Sequence, residues 1–400
     1  VQRSPQGIYE IRFSALDAKE IEELRKQMLT NDYKYTSQIL KFGDTAQKEF
    51  DKMLKGVNRP CRFDFYSEEA NEYTLLNKIE NGYKASASYE TFIAMMMART
   101  ASELAFLKEV AQKASQDDRF KNVAFFVFDT IMDSLDFDRF IEYQANALCA
   151  NKHGLSEQAK SHTDNAKAII EDWIRSIKTG VCSVFLPGEN TSVNARQLAT
   201  IINSVVATKI FNRGPESLDI LRLKAPQTCW VKQHSKGTAD NVLSFNTKEE
   251  ISKRCIGPAK HMMLLLQDSV DDNLRFKDDC DPNHPLLIVS QFVKSKIDHS
   301  EKQNIFNLAD KFEDLTKPPY GLFCSHAGYG MLAFALKPYV DKVFDTNGKP
   351  IGAQRMLELI TDTFKIWDSG SGSRSKVDVK FETKEEGQIA KALIKSFSLN

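Results

Sequence analysis

Val123-Ala-Phe-Phe-Val-Phe128 is six consecutive apolar residues, five of them β-branched or aromatic, closed by Asp129. A run this short and this uniformly apolar reads as a strand buried on both faces, as in the centre of an α/β sheet. A chain with such a strand must supply helices to cover both faces. The flanking sequence does so, with helical spacing through Leu16, Ile21, Leu24 and Met28 on one side and across Asp136 to Lys178 on the other. Gly180 ends the last of these helices, and Val181 to Leu186 reads as another strand.

Further strands are expected at Gly7 to Phe13 and at Cys61 to Tyr66. Tyr89 to Ser115, with Phe92, Met95, Met96, Leu104, Leu107 and Val110, reads as a long helix or helix pair. Asn194 to Phe211 is a helix, Leu218 to Val231 looks extended, and Thr247 with Glu250 forms a capping box at the start of the next helix. Asp271 to Pro285 is an acidic loop, and Leu286 to Phe312 returns to helical spacing before Pro318-Pro319-Tyr320-Gly321. Beyond it come a helix capped by Ser325, a hairpin around Asn347-Gly348, a helix from Ala353 to Ile366, a Gly-Ser loop, a strand from Val377 to Phe381 and a closing helix from Lys384 to Phe397.

Four hundred residues exceed one ordinary core. The expected architecture is mixed α/β: an N-terminal α/β domain over 1–180, a helix-rich middle over 181–316, and a winged-helix-like C-terminal module over 317–400. Lysine plus arginine (54) balances aspartate plus glutamate (54), so no whole-chain field draws the protein to nucleic acid or an anionic membrane. Any such surface must be local. Seven scattered cysteines without a Cys-x-x-Cys pair point to a reducing compartment, and the apolar runs are too short to span a bilayer. The expectation is a cytoplasmic protein with no membrane partner.

The chemistry-bearing motifs are sparse. No G-x-x-x-x-G-K-[ST] loop is present to cradle a triphosphate, so no ATP hydrolysis is expected from the chain itself. Asp278, Asp279, Cys280, Asp281 and His284 crowd one loop, yet two prolines interrupt it and no second cluster completes a zinc spacing. Cys324-Ser325-His326 sets nucleophile and base types side by side, where neighbouring side chains diverge. Asp129, Asp133, Asp136 and Asp138 follow the strongest strand, where α/β proteins place functional acids, although helix-start acids give the same pattern. Asp378, Glu382 and Lys384 lie too close together for a nuclease core that draws on separate strands. No catalytic residue, metal ligand or cofactor is assigned.

The one positive signal is basic. Lys365, Arg374 and Lys376 bracket a Gly-Ser stretch able to follow a phosphate backbone, within a segment from Lys317 to Asn400 carrying 12 basic and 9 acidic residues. These three are the candidate nucleic-acid contacts.

Leu315-Thr-Lys-Pro-Pro-Tyr-Gly-Leu322, Ala333 to Tyr339, Gly348-Lys-Pro350 and Glu382 to Leu399 together resemble the tail of large prokaryotic P-loop ATPases of the BREX phage-defence kind and their relatives. Val123 to Leu186 is similar to the region downstream of the ATPase core in those proteins. The resemblance implies a non-catalytic regulatory, scaffold or nucleic-acid-sensing region of a larger polypeptide, with DNA and other defence proteins as partners. The alternatives are a metal-dependent enzyme domain built on Asp129 to Asp138, and a protein–protein interaction module.

Overall fold

A computed structural model describes residues 2–3, 9–10, 17–220, 223, 225–298, 305–370 and 373–381. The chain is mixed α/β and divides into two compact units. The first comprises Val1–Val57, Cys61–Ala85 and Phe92–Ile202; the second comprises Asn58–Pro60, Ser86–Thr91 and Asn203–Asn400. Of the strand expected at Gly7 to Phe13, Tyr9–Glu10 is described as a strand pairing antiparallel with Gln2–Arg3, and the remainder lies outside the described residues. The closing helix expected from Lys384 also lies outside them.

The first unit is built on a five-stranded sheet of order β1-β2-β3-β4-β5, formed by Cys61–Tyr66, Thr91–Met96, Val123–Phe128, Val181–Leu186 and Glu189–Asn194. β2 and β3 run parallel with Phe92 opposite Val123, while β4 and β5 close the sheet in antiparallel register. The sheet therefore continues past residue 180, through β4 and β5. All six residues of β3 are buried, as its uniform apolar run requires. Its alternate side chains Val123, Phe125 and Val127 face Leu75 and Ile79 of α4 (Glu72–Lys84) and Leu107, Val110 and Ala111 of α5 (Ala101–Ala114). On the opposite face the Phe128 ring meets Phe50 of α3 (Thr45–Met53) edge-on, with centroids 5.4 Å apart. Each fully buried phenylalanine contributes about 1.5–3 kcal/mol, so this strand alone is a major source of the unit's stability. α1 (Ala18–Thr30), α6 (Ser134–Lys152) and α7 (Ser156–Thr179) complete the unit, together with the short α2 (Thr36–Leu40).

Three sequence expectations require correction. Leu286 to Phe312 is not helical throughout: the helix described there is Pro285–Asp298, and Phe306–Asn307 is a short strand. Tyr89 to Ser115 is not a helix or helix pair: Thr91-Phe-Ile-Ala-Met-Met96 is the fully buried β2, and α5 starts only after Thr100, whose side chain caps Glu103 N–H. A strand buried on both faces has no alternation, and its unbranched methionines suit a helix as well as a strand, so periodicity could not separate the two. Leu218 to Val231 is likewise not a continuous extended segment; Pro226–Trp230 forms a turn of 3₁₀ helix.

The second unit is a helical assembly around one apolar core. Its axis is α12 (His326–Leu336), all eleven residues of which are buried, as expected of a helix apolar on every side. Around it stand α8 (Lys236–Ser244), α9 (Lys248–Arg254), α10 (Gly257–Leu266), α11 (Pro285–Asp298) and α13 (Ala353–Ser369). Gly328 lets α12 approach its own entry loop, since a Cβ there would stand 2.1 Å from the Phe323 carbonyl oxygen. Lys337, at the end of α12, donates to the carbonyls of Val242, Leu243 and Phe245 and so neutralises the C-terminus of α8. Thr247 and Glu250 form the expected capping box of α9. A three-stranded antiparallel sheet sets β8 (Asp378–Phe381) between β6 (Phe306–Asn307) and β7 (Val343–Phe344). Leu315 and Leu322, on either side of Pro318-Pro319, bury in the same core. No helix among the described residues is long and apolar enough to cross a membrane.

Candidate functional site

In the second unit, the turn from Lys232 to Ser235 leads directly into α8. Ser235 donates through Oγ to the Lys232 carbonyl at 2.7 Å, and His234 adopts a left-handed conformation, with φ at 62°. This turn forms one wall of a cavity of about 230 Å³, lined by Lys232, His234, Lys236, Lys365 and Asp368 at the rim. Its floor is Cys324, Tyr329 and Phe364, the latter two rings stacked with centroids 4.4 Å apart. Burial raises both the Cys324 thiol and the Tyr329 hydroxyl above their ordinary ranges, so both stay protonated donors at neutral pH.

Three lysines therefore face one carboxylate. Lys232 is ion-paired with Asp368, which also accepts from the Tyr89 hydroxyl at 2.9 Å. Burial pushes the Asp368 carboxyl up, but the Lys232 and Tyr89 hydrogen bonds outweigh it and hold the group below its usual range. Lys365 reaches Asp362 at 2.9 Å across an exposed helical surface, a pair that a stronger anion readily displaces. Lys236 has no side-chain partner among the described residues, and both it and Lys365 are exposed. An anion of phosphate size entering this rim would gain two mobile ammonium groups without breaking the Lys232–Asp368–Tyr89 network.

Of the three basic residues singled out from the sequence, Lys365 alone lines this cavity. Arg374 is ion-paired with Asp310, and its carbonyl accepts from Asn307 Nδ2 at 2.7 Å. Lys376 is exposed, with its carbonyl taken by Arg355 at 3.1 Å. Both sit in a short 3₁₀ turn, Arg374–Val377, which leads into β8. Lys232 and Lys236 were not singled out, because Lys-Gln-His-Ser-Lys looks like an ordinary solvated turn until the fold brings α13 alongside it.

Among the described residues, three of the four acids after β3, all but Asp138, have local partners. Asp129 pairs with Lys108 at 2.9 Å and accepts from Ser183 at 3.3 Å. Asp133 caps α6 by accepting from the N–H groups of Leu135 and Asp136, and Asp136 pairs with Arg139. This is the helix-start pattern rather than a converging carboxylate pocket. Asp378 accepts from Asn307 Nδ2 at 2.7 Å, while Glu382 and Lys384 lie outside the described residues. In the Cys324-Ser325-His326 segment, Ser325 caps Gly328 N–H at 3.0 Å. His326 is held between the Thr238 hydroxyl at 2.7 Å and the Gln233 carbonyl at 3.0 Å, and burial lowers its pKa. With both ring nitrogens engaged, the imidazole is a neutral structural bridge.

The first unit has a polar cleft of about 200 Å³ near the ends of β1 and β2, lined by Glu69, Arg99 and Glu103 among others. Part of its charge is paired within the protein: Lys78 bonds Glu69 at 2.6 Å, and Arg99 Nη2 stands 3.4 Å from Glu103. Glu103 also accepts from the Arg99 backbone N–H at 2.7 Å and from Thr36 at 3.3 Å, while Arg99 Nε is buried without a hydrogen-bond partner among the described residues. The Asp278–His284 loop does not gather its side chains into a ligand set; His284 Nδ1 instead accepts from Leu286 N–H at 3.3 Å.

No protein family, curated protein or solved structure matches this chain.

Proposed function

We propose that this chain is a non-catalytic regulatory, scaffold or nucleic-acid-sensing region of a larger phage-defence ATPase, and that its second unit meets nucleic acid through phosphate contacts. The observation that carries the reading is the cavity rim at α8 and α13, where Lys236 and Lys365 stand exposed above neutral donors. A backbone phosphate there would meet point charges and no base-reading constellation, so recognition is of charge and not of sequence. Lys376, and Arg374 after release from Asp310, extend the same reading along the chain. Within it, the helices α12 and α13 with the strands β6, β7 and β8 serve as a winged-helix-like module. The partners are the rest of the polypeptide, DNA and other defence proteins in the cytoplasm, a compartment that suits seven free cysteines.

The test is anisotropy of two labelled duplexes of unrelated sequence at low salt. Both should bind wild type equally, and the Lys236→Ala/Lys365→Ala double variant should bind both more weakly. Binding that distinguishes the duplexes, or an unchanged double variant, contradicts the proposal.

A further inference from the structure

We infer that Glu20, Cys149 and His153 in the first unit form a binding site for a divalent transition metal of borderline softness, with Zn²⁺ as the favoured ion. The three side chains bring an oxygen, a sulfur and a nitrogen to within 4.8 Å of one another. They are the only such trio among the described residues.

The placement follows from two helices. Cys149 lies in the last turn of α6 and His153 is its C-cap, four residues on, with His153 N–H bonded to the Cys149 carbonyl at 3.2 Å. Residues four apart share a helix face, the spacing by which a single helix presents two ligands to one ion. Glu20, in the first turn of α1, supplies the third from a separate helix. Its Oε2 stands 2.9 Å from His153 Nε2 and 3.6 Å from Cys149 Sγ.

The two separations from Glu20 suit tetrahedral coordination, and the sulfur and nitrogen lie within 4.8 Å of each other. With Zn–N and Zn–O bonds near 2.0 Å and a Zn–S bond near 2.3 Å, adjacent ligand atoms stand about 3.3 Å apart for N and O and about 3.5 Å for S and O. The sulfur–oxygen pair already has that spacing, and the nitrogen–oxygen pair needs to open by only a few tenths of an ångström. Cys149 is fully buried, whereas the His153 side chain is about half exposed, 53%. The ion would thus rest on a dry thiolate with its fourth position toward water, the arrangement of a three-ligand open site. Lys152, 3.4 Å from Glu20 Oε1, touches the oxygen that the ion does not use.

The competing account is an ordinary surface ion pair, in which Glu20 bonds His153 and Lys152 and the thiol is a packing group. Cobalt separates the two. Titrating the purified chain with Co²⁺ should give one equivalent of binding, with a thiolate-to-cobalt charge-transfer band and the visible bands of four-coordinate cobalt, all erased by Zn²⁺. Glu20→Gln and His153→Asn lie on partly exposed side chains and should retain the wild-type circular dichroism. Each should weaken Co²⁺ binding at least about tenfold. Cys149→Ala should remove the charge-transfer band. Absence of that band in wild type, or its persistence at unchanged affinity in His153→Asn or Glu20→Gln, overturns the inference.

Discussion

Replacing Glu216 by glutamine keeps its volume and removes its charge, at the most tightly enclosed ion pair among the described residues of the second unit. Arg59 Nε and Nη2 each donate to a Glu216 oxygen at 2.7 Å, and the side chains are only 1% and 3% exposed. Arg59 Nη1 donates to the carbonyls of Tyr89 at 2.6 Å and Gly321 at 2.8 Å, and its guanidinium lies 3.6 Å over the Phe211 ring. Gly321, with φ at 62°, leaves no room for a side chain here: a Cβ would stand 2.2 Å from the Phe211 ring. Burial pushes the Glu216 carboxyl up, against the pull of Arg59. Glutamine offers one acceptor where the guanidinium needs two, and it aims an N–H at another N–H. The arginine charge stays buried without its counter-charge.

Breaking such a pair from one side costs about 3–5 kcal/mol. For a unit of roughly 200 residues, at about 2–4 °C per kcal/mol, the midpoint should fall by about 6–20 °C. The readout is calorimetry alongside the fluorescence of Trp230, which stacks on Phe323 at 6.3 Å, and Trp367, whose indole N–H donates to the Ala309 carbonyl at 3.0 Å. Removing both charges with Arg59→Met and Glu216→Leu should recover a large part of the loss, because no buried charge is then left alone. A loss below about 1 kcal/mol in Glu216→Gln, the scale of an exposed pair, would refute the reasoning. So would a double variant no more stable than the single one.

Glu49 in α3 is held down to about 2 by Lys178 of α7 and by Lys52. A depressed carboxylate stabilises the fold above its unfolded pKa, near 4.5, and loses that contribution as pH falls toward 2. Urea midpoints of wild type and Glu49→Gln should therefore differ at pH 6 and converge by about pH 2; a gap constant across that range would contradict the assignment. Asp129→Asn gives up one half-exposed ion pair with Lys108 and should cost about 0–1 kcal/mol, with Mg²⁺ leaving the melting temperature of both proteins unchanged. A Mg²⁺-dependent rise that vanishes in Asp129→Asn would instead favour the metal-dependent enzyme alternative.

The sequence revealed elements whose signal is local. β3 announced itself by six apolar residues, α9 by its Thr247–Glu250 box, and the turn at Asn347-Gly348 by its dipeptide. β2 was hidden because its burial on both faces erased the alternation that marks a strand. β5 was missed because Glu-Asn-Thr-Ser-Val-Asn is polar, and its strand character comes from pairing with β4 at the sheet edge. Lys365 was legible as a basic residue beside a Gly-Ser loop, but its neighbours Lys232 and Lys236 lie more than a hundred residues earlier. In the same way, Cys149 and His153 are visible as a four-residue spacing, while Glu20 joins them only once α1 packs on α6.

The reading of the second unit as a phosphate-contacting surface is tested most directly by the salt dependence of duplex binding. Each phosphate neutralised by a lysine releases about one counterion, so log affinity falls linearly with log salt in proportion to the contacts made. The slope for Lys236→Ala/Lys365→Ala should be shallower than wild type by about two. Absence of binding to wild type at low salt, or parallel slopes for the two proteins, would contradict the account.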